Sequence, residues 1–227
     1  MDFTIYAIVT NLCWVEILAK DMNFLAHLVL SPKEIDFISG NLAADFLRGS
    51  DRKFISERVQ KGISMHQFVD KFTDTHLLVK TSKNKIKNHF RLLSGVFVDV
   101  FYDHFLAKDF EHIANISLEE FCECIYETLE KNINVLPPRL QQLIPIMIRE
   151  DILFSYRKLE GVQTALTRIN HRITKKFSVK LAMVHFKNIY ESLENDFREF
   201  FPRLIDATES YRKDYGTFLL YSYQLRV

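Results

Sequence analysis

The sequence predicts an all-α protein, a single-domain helical bundle. Three observations carry that expectation. Only 6 Gly and 5 Pro punctuate 227 residues, too few breakers for a many-turned β fold. Apolar residues recur at helical spacing along most of the chain, and no alternating stretch of strand length interrupts them. Serine capping signals then mark where helices begin.

The elements can be taken in chain order. Residues 1–21, MDFTIYAIVTNLCWVEILAKD, are apolar but carry no basic run ahead of the apolar one, a poor signal peptide. They read as an amphipathic helix or an upstream extension, because Met22 begins a segment of different character. SPKE at 31–34 is a Ser cap with Pro at the first helical position, predicting a helix from Pro32 towards Arg48 with a break near Gly40. Ser56 precedes the next helix, and Ser82 opens another through Phe90. Residues 94–110 are strongly helical in period. SLEE at 117–120 is a second capping box, whose helix ends before Pro137-Pro138. Residues 139–157 are helical with a kink at Pro145, and 161–173 give a further helix. A long helix from Ser178 should stop at Pro202, and a last one should run over 203–213. Residues 214–227 are a tail. No repeat, low-complexity tract or linker divides residues 22–213, which form one domain.

Composition bounds the function. Hydrophobic residues make up 48% and charged residues 26%, ordinary for a globular protein, with 20 Phe in prospect for the core. Net charge is +1, so no global field is expected. The three cysteines are an odd number and favour a reduced, cytoplasmic setting. Cys122-x-Cys124 has no second pair nearby, so no zinc site is expected there. No stretch of about 18 uncharged apolar residues predicts a membrane span.

Titratable residues in apolar surroundings are the main clue. In GISMHQFVDKFTDTH (62–76), His66, Asp70 and Asp74 sit at i, i+4 and i+8 and share one wall of a helix. Met65, Phe68, Val69 and Phe72 form the apolar stripe beside it. Two carboxylates at a core boundary are costly to desolvate and call for a cation. A solvated polar face with a satisfied histidine is the plain reading of this stretch alone. The pattern recurs, however. Asp99 and Asp103 share a face in SGVFVDVFYDHFLAKDF (94–110), and His104 follows at once. ISGNLAADFLRG (38–49) adds Asp45, with Asn41 one turn before it and Arg48 after it. NFLAHLVL (23–30) buries His27, which alone reads more readily as a core histidine than as a ligand. Helix bundles build metal sites from such facing side chains. Carboxylate and imidazole ligands suit Mn, Fe, Mg or Zn, and such an ion activates water and neutralises a phosphoryl group. The residues alone therefore point to a helical, metal-dependent hydrolase.

Charge is uneven along the chain. No acid occurs between Asp74 and Asp99, where Lys80, Lys83, Lys85, Lys87 and Arg91 fall. None occurs from Gly161 to Tyr190, a span with Arg168, Arg172, Lys175, Lys176, Lys180 and Lys187. These local basic surfaces suit a phosphate or an acidic partner, or are solvated faces. No interleaved aromatic surface or nucleic-acid motif accompanies them, so neither nucleic acid nor membrane is expected as a partner.

MNFLAHLVLS, ISGNLAADFLRG, GISMHQFVDKFTD and DVFYDHFLAKDF, in this order, together with ENDFREFFPRL, resemble the bacterial acyl carrier protein phosphodiesterase family over roughly residues 22–213. The resemblance implies a helical fold distantly related to HD-type phosphohydrolases. It implies hydrolysis of the phosphodiester that joins 4′-phosphopantetheine to holo acyl carrier protein. It also implies a divalent metal, manganese first, with Mg2+ or Fe2+ as alternatives. Joined to the residue reading, it makes Asp45, His66, Asp70, Asp103 and His104 ligand candidates, with His27 beside them. Asp74 and Asp99 are ligands or orienters, and the general base is sought among Asp45, Asp74 and Asp99. Arg48 would hold a phosphate oxygen, and Lys83, Lys85 and Lys87 would meet the carrier protein. Two departures stand out: residues 1–21 precede the family's usual start, and the adjacent Asp103-His104 pair reverses the HD order. Rival readings are an HD-like enzyme for a nucleotide or other small phosphodiester, and a non-catalytic carrier-protein binder.

Overall fold

Helix α1 (Phe24–Leu30) packs on α2 (Ile35–Ala43), and α2 packs on α3 (Glu57–Thr75), the helix that carries His66 and Asp70. The computed structural model describes residues 24–47 and 55–214. Within them α4 (Leu77–Phe90) and α5 (Ser94–Lys108) come next, joined by a 3₁₀ turn at Arg91–Leu93. They are succeeded by α6 (Phe110–Ala114), α7 (Leu118–Lys131), α8 (Pro138–Arg149), α9 (Ile152–Ser155), α10 (Leu159–Arg172) and α11 (Val179–Asp214). Among the described residues all regular structure is helical, so the all-α expectation holds. Residues 1–21, Arg48 and the tail from Tyr215 lie outside the described residues.

Local chemistry sets several ends. Ser56 accepts from Val59 N–H at 3.3 Å to open α3, and Ser117 accepts from Glu120 N–H at 3.1 Å to open α7. His76 both ends α3 and caps α4, accepting from Leu78 N–H through Nδ1. That cap moves the start of α4 ahead of the expected Ser82, whose hydroxyl is buried and spent on Tyr102 and Asp196. The expected Ser31 cap also fails. Its hydroxyl donates to the His27 carbonyl oxygen at 2.9 Å, and α2 begins only at Ile35.

Long-range packing overrides the stop expected at Pro202. Pro145 lies inside α8, and α11 runs unbroken for 36 residues through Pro202. An interior proline costs a helix about 3 kcal/mol. Around Pro202 that cost is outweighed by Phe197, Phe200, Phe201, Leu204 and Ile205, all buried. α11 crosses α3, α4 and α5, with Phe186 stacked on Phe101 at 3.8 Å between ring centroids. Phe68 stacks on Tyr211. The phenylalanines expected in the core thus form the layer that fixes α3 against the rest.

One helix crossing positions the titratable residues. Gly40 of α2 and Gly62 of α3 meet there: a Cβ on Gly40 would overlap the Val59 carbonyl oxygen, and one on Gly62 would lie 2.5 Å from the Phe37 carbonyl oxygen. Glycine lets the two backbones approach this closely. Asn41 and Asp45 are thereby brought against His66.

Candidate metal centre

His27 of α1 and His66 and Asp70 of α3 converge, and Asp45, just after α2, stands against His66. His66 Nε2 lies 3.1 Å from Asp70 Oδ2 and 3.3 Å from Asp45 Oδ1. His27 Nε2 lies 3.2 Å from Asp70 Oδ1, so one carboxylate spans both imidazoles. The rings of His27 and His66 stack at 4.0 Å. Donor atoms of His27, His66 and Asp70 all lie within 4.8 Å of one another. The histidines are buried, while the Asp70 side chain is 39% exposed and opens the cluster to solvent.

A second layer holds this arrangement. Asn41 Oδ1 meets His66 Nδ1 at 3.1 Å, and Asn41 Nδ2 donates to the His27 carbonyl oxygen and to Ser31 Oγ. The carbonyl of an amide is an acceptor, so His66 Nδ1 carries a proton and its Nε2 faces the carboxylates. Ordering one ring nitrogen to aim the other is how ligand histidines are oriented.

The inner nitrogens are poorly satisfied by protein alone. His66 Nε2 and both ring nitrogens of His27 are buried without a hydrogen bond, although carboxylate oxygens stand 3.1–3.3 Å from the two Nε2 atoms. The contacts are close but out of line. Buried polar atoms normally find a partner, and donors aimed past each other suit a shared cation. The donor set therefore fits a divalent ion of the Mn, Fe or Zn class.

Electrostatics separates the two histidines. Burial works against charging His66, but contact with Asp45 and Asp70 and their charges outweighs it and raises its pKa to about 9. Burial, then the neighbouring His66, lowers that of His27. Burial pushes Asp70 up, yet the two imidazoles hold its carboxyl well below the usual carboxylate range. Protein alone thus keeps one imidazolium between carboxylates, a proton standing where a cation fits.

The other expected site residues fall elsewhere. Asp103 does not join the cluster. Its carboxylate is fully buried and accepts from Leu25 N–H at 3.2 Å and Ala26 N–H at 3.1 Å, holding the first turn of α1. Burial pushes its carboxyl well above the usual range, against the pull of those two amides. His104 is also set apart: Nδ1 donates to the Tyr156 carbonyl oxygen at 2.7 Å, and Nε2 meets Tyr190 OH at 2.9 Å, so both nitrogens are occupied. The reason is rotational. Asp103 and His104 point from α5 into two different packing layers, one against α1 and one against Tyr156 and α11.

Asp74 is exposed and pairs with Lys83 at 2.6 Å. Asp99 is half-buried one turn before Asp103 and is not one of the converging donors. Lys85 is held by Asp196 at 2.6 Å and by the Ser192 carbonyl oxygen, so it is a structural cation here. Lys87 is exposed. Sequence reasoning assigns Asn41 no role and expects of Ser31 only a helix cap, not its bond to Asn41. The spacing of Asn41, one turn before Asp45, is the signal that could have found it.

Fold and site together define an all-α protein with a buried imidazole–carboxylate centre, assembled from three helical segments and open to solvent at one carboxylate. Residues 22–204 match the acyl carrier protein phosphodiesterase family, and the chain belongs to that family. It is 30% identical over 186 residues to the acyl carrier protein phosphodiesterase of Escherichia coli O45:K1, covering 82% of this chain and 96% of the relative. It is 29% identical over 190 residues to the Photorhabdus laumondii protein of the same name, covering 83% and 96%. For the Yersinia pestis protein the figures are 31% over 185 residues, 81% and 96%. No solved structure matches the chain. Among the described residues no helix is long and apolar enough to cross a membrane.

Proposed function

We propose that this chain hydrolyses holo acyl carrier protein to apo acyl carrier protein and 4′-phosphopantetheine, using a divalent metal. Water adds to phosphorus, the bond from phosphorus to the serine oxygen breaks, and the serine oxygen takes up a proton. The observation that carries this reading is the convergence of His27, His66 and Asp70 around buried, unsatisfied nitrogens, in a chain of this family. The names of the relatives supply the carrier protein as substrate class.

His27, His66 and Asp70 would hold the ion, with manganese the first choice and Mg2+ or Fe2+ the alternatives. The ion would supply charge neutralisation at the phosphoryl group and acidity to a bound water. Asp45 touches His66 from the other side, is 13% exposed, and is the candidate general base. Asn41 aims His66, and Asp70 faces the solvent side from which the phosphodiester arrives. The relation to HD phosphohydrolases belongs to this reading. Here the paired imidazoles come from separate helices, in place of an adjacent His-Asp pair. A carrier-protein substrate goes with a cytoplasmic setting.

Purified protein incubated with holo acyl carrier protein tests it. With Mn2+ the carrier should lose its phosphopantetheine by intact-mass measurement, and H66A and D70N should leave it holo. Holo carrier protein unchanged with Mn2+, Mg2+ and Fe2+ alike, by well-folded protein, would refute the reading.

A further inference from the structure

The two acid-free stretches of the sequence, far apart in the chain, contribute to one surface. α4 and α11 run antiparallel: Ser82 meets Asp196, Lys85 meets Ser192, and the rings of His89 and His185 lie 4.5 Å apart between centroids. His185 Nε2 donates to the Lys85 carbonyl oxygen at 3.1 Å, which fixes the register. This sets the C-terminal half of α4 beside the N-terminal turns of α11. Lys87 of α4, Arg91 just after it, and Lys180 and Lys187 of α11 are all exposed. Between them α11 leaves Leu181 and Val184 exposed, at 62% and 49%.

The neighbouring acids are neutralised or lie at the border. Asp196 is bound by Lys85 and Ser82, and Asp74 by Lys83. Glu191 stands where the acid-free run of α11 ends. In a protein of net charge +1, this concentration of cations is a local field and not a global one. A solvated basic face does not need two large aliphatic side chains in its middle. An apolar centre rimmed by like charges is the make-up of a protein interface.

The surface also leads to the centre. Lys87 is one helical turn from Lys83, Lys83 holds Asp74, and Asp74 is one turn from Asp70. Each turn advances about 5 Å along its helix, so two turns and one ion pair connect Lys87 to Asp70.

We infer that the α4–α11 face is the docking surface for an acidic protein partner, the carrier protein itself, with Leu181 and Val184 at its centre. This rests on the proposed substrate. Charge complementarity and the apolar centre favour a folded acidic protein over a phosphate polymer or an anionic membrane, which need no such centre.

The test uses R91E/K180E/K187E and, separately, L181S. Binding of apo carrier protein is read by calorimetry, so it does not depend on turnover. The charge-reversed variant should weaken binding about tenfold or more at low salt and lose most of the salt dependence of wild type. L181S should weaken it by a smaller factor that salt does not change. Hydrolysis of bis(p-nitrophenyl) phosphate with Mn2+ should stay within about twofold for both. Circular dichroism melts check folding. Unchanged carrier affinity in folded variants would overturn the docking surface, whether or not phosphopantetheine is released. Loss of DNA or anionic-vesicle binding without loss of carrier binding would overturn it in favour of a polyanion. Wild type that binds the carrier through this face yet releases nothing would sink the proposed reaction and leave the surface standing.

Discussion

Asp103 and His104 look like ligands in sequence and behave as struts in the fold. Asp103 accepts two buried amide protons of α1, the segment that delivers His27. D103A leaves both amides without partners, each costing about 1–3 kcal/mol. It should therefore destabilise the metal-free protein strongly, and added Mn2+ should not restore the difference; chemical denaturation with and without metal checks this. His104 gives a pH prediction. Burial lowers its pKa, and the bond to Tyr156 only partly offsets this, with Lys108 lowering and Glu194 raising it more weakly. The unfolded chain, titrating near pH 6.5, therefore binds more protons than the folded one below that pH. Stability falls as pH drops from about 6.5, by at most about 1.4 kcal/mol per pH unit from this group. H104N keeps a donor near the Tyr156 carbonyl oxygen and removes the titration. In metal-free urea melts between pH 7 and 5, its stability should fall less steeply than that of wild type; equal slopes would mean that His104 is not buried neutral. The i, i+4 pairing of His66 and Asp70 is legible in the sequence because it is local. The fates of Asp103 and His104 are not, because one turns to α1 and the other to a carbonyl 52 residues away.

At the scale of elements, the α2–α3 crossing makes the site. Its two glycines are visible in the sequence, but a glycine in a helical pattern reads as a break, as Gly40 does. The structure uses Gly40 and Gly62 for contact, a property of two helices that neither segment reveals alone. G40A should push α2 from α3, costing about 1–3 kcal/mol as overpacking does. Because Asn41 rides on α2 and Asp45 sits just beyond its end, kcat should drop more than the folded fraction does. A urea midpoint and a turnover assay on the same sample check this, and proportional losses would show that the crossing serves stability alone. Helix ends are legible where a cap is local, as at Ser56 and Ser117. They are not where a side chain has other work, as at Ser31 and Ser82. Pro202 shows the same limit: proline chemistry predicts a stop, and a buried row of phenylalanines carries the helix through it.

Across the whole molecule, ion binding should appear as folding stability. The three donors that converge come from α1 and α3, and Asp45 lies just after α2, so unfolding scatters them. An ion that binds the folded cluster and not the open chain stabilises by RT ln(1 + [L]/Kd), about 2.7 kcal/mol at a hundredfold excess over Kd. For a chain of this size that is a Tm rise of roughly 5–10 °C. Mn2+ should produce it in wild type. The charge-reversed R91E/K180E/K187E protein should show the same rise, because its changes lie on the α4–α11 face. H66A and D70N should show little or none. D45N should keep a rise, smaller than wild type, because Asp45 contacts His66 without joining the three-donor convergence. Protonation of His66 competes with the ion, since its pKa stands at about 9 before metal arrives. Binding must displace that proton. The Mn2+-induced rise should therefore grow from pH 6 to 8, and a proton should be released per ion bound, read by calorimetry in buffers of different ionisation enthalpy. A rise that is equal in wild type and H66A would place the bound ion elsewhere in the fold. A rise in wild type that ignores pH would mean that His66 Nε2 is not where the ion binds.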